Sequence, residues 1–139
     1  MKYINLIVIL AVLLFASCSK TQQKNSACGT QVCSDIFAII GIHYTDNTGK
    51  PIALSNFTVF DVTSNKQLYP GLPTADFVAG YYVVASDSNI KDYSTGGDII
   101  KVSATDPATG QTKIVSLKIS GGCNCHVAKL SGPDTVAFD

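Results

Sequence analysis

The pattern of hydrophobic and polar positions changes character twice along the chain. Ile4 to Phe15 is a near-unbroken apolar run, and Lys20 to Ser26 contains no apolar residue. From Cys28 onward, short runs of β-branched and aromatic residues alternate with Gly, Pro, Asn and Asp clusters. That last regime is the punctuation of an all-β protein. Ile36 to Tyr44 is apolar on both faces, reads as a buried strand, and stops at the turn Asp46-Asn47-Thr48-Gly49-Lys50-Pro51. Phe57 to Val62 follows, and Gln67 to Tyr69 is expected to pair beside it before Pro70-Gly71-Leu72-Pro73 interrupts the ladder. Tyr81 to Ala85 is the next strand, and Asn89 to Tyr93 is either one helical turn or a connector. Ile99 to Thr105 alternates, with Ile100, Val102 and Ala104 on one face. Asp106 to Gly110 then turns the chain into Gln111 to Ile119, where Val115, Leu117 and Ile119 face inward. Asn124 to Leu130 and Thr135 to Phe138 close the domain on either side of Ser131-Gly132-Pro133-Asp134. No 3.6-residue period is sustained and no long repeat occurs. Turns spaced about 8 to 12 residues apart predict a single antiparallel Ig-like β-sandwich of about seven strands.

The apolar run is about 12 residues, short of the roughly 20 that span a bilayer as a helix, and Lys2 precedes it. This is the layout of a secretory signal peptide. The segment Phe15-Ala16-Ser17-Cys18 that follows resembles the lipobox of bacterial lipoproteins, with Phe15 where the motif usually carries Leu. The resemblance implies cleavage after Ser17 and lipidation of Cys18. It divides the chain into a signal peptide over residues 1–17, a lipidated cysteine and flexible tether over 18–27, and a β-sandwich over 28–139. A single acyl chain holds a protein only marginally, so a multiply acylated Cys18 implies a durable membrane partner. Ser19 rather than Asp after the cysteine implies, by the same resemblance, the outer membrane, facing the periplasm or the cell surface.

The strand-turn unit Ile39 to Val62, with its Gly49-Lys50-Pro51-Ile52 turn, resembles the start of carboxypeptidase-regulatory-like, transthyretin-like domains. Gly80-Tyr81-Tyr82-Val83-Val84, Cys125-His126 and Ser131-Gly132-Pro133 extend the likeness over roughly residues 33 to 138. The resemblance implies a non-catalytic accessory module that binds a protein or glycan or gives structural support, and it carries no fixed ligand residues. Cys28 and Cys123 lie outside its pattern.

The chain has five cysteines. With Cys18 assigned to lipid, Cys28, Cys33, Cys123 and Cys125 remain, and export predicts two disulfides. A Cys123–Cys125 bridge would close a small strained ring, so both bonds are expected to be long-range. Cys33 with Cys125 and Cys28 with Cys123 is the first expectation, and the crossed pairing stays open. The alternative is a metal or redox site formed by Cys28, Cys33, Cys123, Cys125 and His126.

All ten cations are Lys and all ten anions are Asp. Without Arg there is no bidentate fork for phosphate or guanine. Loss of the signal peptide leaves nine Lys against ten Asp, which excludes electrostatic steering toward nucleic acid. With no Glu, paired general-acid and general-base carboxylates are not signalled. No Gly-x-Ser-x-Gly elbow surrounds any serine, so a hydrolase ranks last and no enzyme or cofactor is expected. His43 reads as structural, and Asp46-Asn47-Thr48-Gly49 reads as a turn rather than a calcium loop. Most of the aromatic residues serve as core filling. The loop Pro70 to Phe77, through Leu72, Pro73 and Phe77, is the candidate contact surface.

Overall fold

The computed structural model describes residues 28–69 and 78–139. Among the described residues eight strands form two packed sheets: β1 (Ile39–Thr45), β2 (Ser55–Asp61), β3 (Lys66–Leu68), β4 (Tyr81–Ser86), β5 (Asp98–Thr105), β6 (Thr112–Ser120), β7 (Ala128–Ser131) and β8 (Thr135–Ala137). One sheet has the order β4-β1-β8 and the other β3-β2-β5-β6-β7. A 3-10 segment, Asp87–Asp92, occupies the place where the sequence left a helical turn or a connector.

The strongest sequence alternation makes the strongest ladder. β5 and β6 pair without interruption from Asp98 opposite Ile119 to Thr105 opposite Thr112. Ile100, Val102, Ala104, Leu117 and Ile119 are buried between the sheets. Opposite them stand Ile40, Ile42, Tyr44 and Val84 from the smaller sheet, with Val136 and Phe138 from the tail. β1 is the middle strand of its sheet, which explains its apolar run. Tyr44 sits edge-on to Phe57 and Tyr82 with ring centroids 6.3 and 5.7 Å apart, and Phe138 lies tilted beside it.

Aspartates shape the turns. Asp46 accepts from the Thr48 and Lys50 N–H groups and from the Thr48 hydroxyl, making the turn expected there. Asp61 does the same for Thr63 and Ser64, and Asp106 for Ala108 and Thr109. These short polar side chains stand in for a backbone partner, as turn-forming Asp residues do.

Two expectations are corrected. The sandwich is not wholly antiparallel, because β8 runs parallel to β1, with His43 opposite Thr135 and Thr45 opposite Ala137. The chain leaves β7 in the large sheet and crosses to the small one within Gly132-Pro133-Asp134, entering alongside β1 in the same direction. Gly132 has φ +118°, and a Cβ there would lie 2.8 Å from Leu117 Cγ, so this crossing requires glycine. The first strand also begins later than expected. β4 ends at Ser86 and turns into the 3-10 segment, so no strand remains to pair with Ile36 and Phe37, which are 72% and 52% exposed.

Candidate functional site

Residues 28–38 form an arm that joins neither sheet and is tied to the body by other means. Disulfides link Cys28 to Cys123 and Cys33 to Cys125, with Cα separations of 5.1 and 5.3 Å. This is the first of the two long-range pairings expected from the sequence. It commits the sulfurs of the alternative metal set to one another.

The segment that receives the arm is built on close backbone approach. Gly122 N–H donates to the Ile90 carbonyl at 2.7 Å and Gly121 N–H to Ser94 at 3.0 Å. A Cβ on Gly121 would come within 2.6 Å of the Ile90 oxygen, so the approach requires glycine there. Cys123 N–H and the Asn124 side chain bond to Thr95. The turn is thereby pinned to the loop after the 3-10 segment, and His126 is brought to Asp87.

Asp87 Oδ2 lies 2.6 Å from His126 Nδ1 and also accepts from Ala38 N–H at 2.8 Å. Its Oδ1 accepts from Val127 N–H at 2.8 Å. Burial pushes the Asp87 carboxyl pKa up. The Ala38 N–H, the His126 side chain and the Val127 N–H outweigh that penalty, and the net shift is downward. An ionised carboxylate only accepts, so in the neutral imidazole Nδ1 carries the proton and Nε2 offers its lone pair. That lone pair faces the Ser34 hydroxyl, whose Oγ is 2.9 Å from Nε2. Exposure rises along the relay: the side chains of Asp87 and His126 are 14% and 27% exposed, and Ser34 lies at the open surface. A hydroxyl bonded to a base that is oriented by a carboxylate is the arrangement that activates a nucleophile.

No protein-family model matches the chain, and neither the curated proteins nor the solved structures yield a match. The described residues therefore speak for themselves. His126 was a candidate ligand in the sequence; its partners Ser34 and Asp87 were not singled out. They stand 92 and 39 positions away, and only the cysteine preceding both Ser34 and His126 hinted at proximity. His43 lies in β1 edge-on to Tyr81, ring centroids 5.1 Å apart. Together with Ile39, Val78 and Val83 they line an open, almost wholly apolar depression of about 310 Å³ on the outer face of the small sheet. Cys18 and the contact-loop residues Leu72, Pro73 and Phe77 lie outside the described residues.

Proposed function

We propose that the protein is a lipid-anchored accessory module of the cell envelope. Its mature sandwich is held on the outer membrane by lipidated Cys18 and supports or binds a protein or glycan partner there. The observation that carries this reading is the pair of disulfides, which close stretches of 95 and 92 residues and suit an oxidising compartment outside the cytoplasm. The signal-peptide layout and the lipobox-like Phe15-Ala16-Ser17-Cys18 agree with such an address, and the transthyretin-like turn agrees with an accessory role. A single thioester- or thioether-linked chain would be marginal, so anchoring needs a multiply acylated Cys18.

The test is fractionation of native membranes with intact-mass analysis of the mature chain. The expected result is a protein that begins at acylated Cys18 and partitions with the membrane, and a Cys18→Ser variant that does not. A mature chain without lipid, or a Cys18→Ser variant still bound to membrane, would overturn the anchor. Pull-down from the same membranes then addresses the partner.

A further inference from the structure

We propose that Ser34 is an activated nucleophile for acyl transfer from carboxylic esters, with His126 as its general base and Asp87 as the residue that positions the imidazole. This goes beyond the envelope-module reading and does not rest on it. It departs from the expectation that the chain carries no catalytic group.

Three side chains from separate parts of the chain meet in series, at 2.9 Å from Ser34 Oγ to His126 Nε2 and 2.6 Å from His126 Nδ1 to Asp87 Oδ2. The partners of Asp87 fix the tautomer in which Nε2 can take a proton. Such a constellation is recognised by geometry and roles on unrelated folds, whatever its order in the chain. An exposed serine hydroxyl needs no protein partner, because water serves equally well. Here it is nonetheless held to the base by a covalent brace, since Ser34 and His126 directly follow the bonded pair Cys33 and Cys125. The backbone N–H groups of Asp35 and Ile36, which follow Ser34 in the chain, donate to no partner among the described residues. Val32, Ile36 and Phe37 on the same arm are 99%, 72% and 52% exposed, which favours an ester with an apolar acyl group.

The chemistry balances with water alone. Ser34 Oγ bonds to the ester carbonyl carbon as its proton passes to His126 Nε2. The bond to the alkoxy group breaks, and the alcohol leaves with that proton. Water, deprotonated by the same imidazole, attacks the acyl-serine, and Oγ recovers the proton as the acid departs.

The probe is an alkyl fluorophosphonate, applied to the full mature chain with both disulfides verified by intact mass. Ser34 Oγ bonds to phosphorus, fluoride is displaced, and the hydroxyl proton goes to the imidazole. The expected result is one adduct, mapped to Ser34, absent in Ser34→Ala and formed about a hundredfold more slowly in His126→Gln. Reduction of Cys33–Cys125 abolishes it. Asp87→Asn slows labelling and removes a low-field Nδ1–H proton resonance that the wild type shows, a signature that a purely structural Asp87 would not link to reactivity. Labelling of Ser34 no faster than of other serines, or a His126→Gln variant as reactive as wild type, would overturn the proposal. Acylation of Cys18 is read separately, so failure here leaves the anchor standing or falling on its own test.

Discussion

Removing either disulfide by paired Cys→Ser substitution is expected to cost little more than a third of what removing both costs. The reason lies in how the two bonds share a loop. With Cys28–Cys123 intact, the second bond closes a ring of only residues 28–33 and 123–125. In the chain-entropy relation, a ring of about nine residues contributes about 2.6 kcal/mol at 25 °C, whereas a loop of about 95 residues contributes about 4.6 kcal/mol. Whichever bond goes first, the remaining one still closes the long loop. Cys33→Ser with Cys125→Ser, or Cys28→Ser with Cys123→Ser, therefore loses about 2.6 kcal/mol, and the fourfold variant about 7 kcal/mol. Domains of this size hold about 5–15 kcal/mol, so each paired variant stays folded and the fourfold one approaches the margin. The assay is equilibrium urea unfolding of all four proteins without reductant, with slopes compared to confirm that the denatured states are being treated alike. Two paired variants that each lose about 4.6 kcal/mol and add to about 9 kcal/mol would refute the shared-loop reasoning.

Two tyrosines in one aromatic cluster are expected to respond with opposite sign. Tyr44 is fully buried and its hydroxyl has no partner among the described residues, so Tyr44→Phe removes a buried unsatisfied group and stabilises by about 1 kcal/mol, or about 4 °C in Tm. Tyr82 accepts from Leu54 N–H at 2.6 Å, and Tyr82→Phe orphans that donor and destabilises by about 1–2 kcal/mol; the same sign for both in thermal unfolding would contradict this. Burial pushes Tyr93 up to about 12 and Tyr44 higher still, from an ordinary value of 10.0. The folded state therefore keeps protons that the unfolded state gives up, and stability is flat below about pH 10 and falls as pH rises toward the folded values. Phenolate absorbance should show these two tyrosines ionising last, and a single transition near the ordinary value in folded protein would count against their burial.

The sandwich was legible where local pattern and tertiary role coincide. The alternation of Ile100, Val102 and Ala104 against Val115, Leu117 and Ile119 declared both the β5–β6 hairpin and its inward face. Legibility failed where a partner decides the outcome. Ile36 and Phe37 read as strand because their residue types favour one, yet β4 turns away at Asp87 and leaves them unpaired. Thr135 to Phe138 read as a closing strand, but so short a segment cannot announce that it pairs parallel to β1, a choice set by the tight crossing at Gly132. The relay was less legible still. His126 was visible as chemistry, but Asp87 resembled every other turn aspartate until its carboxylate was seen to take three donors rather than close a local turn.

The arm also explains why a chain of this kind would hold its N-terminal segment by covalent and polar ties instead of a strand. An edge strand joins its sheet through successive hydrogen bonds, which a pull on its end can open one after another. Residues 28–38 instead meet the body through two disulfides, the Ser34–His126 bond and two hydrogen bonds between Ala38 and Asp87, while Val32, Ile36 and Phe37 contribute little burial. A load entering from the proposed anchor at Cys18 would reach Cys28 first and pass through a sulfur bridge into the turn at Cys123, which backbone bonds pin to Ile90 and Ser94. The second bridge lies five residues further on, directly before Ser34. The first disulfide thus shields the second, and with it the Ser34–His126 geometry, from a load applied at Cys28. Selective loss of Cys28–Cys123 should accordingly loosen the anchor side of the arm while leaving Ser34 beside its base.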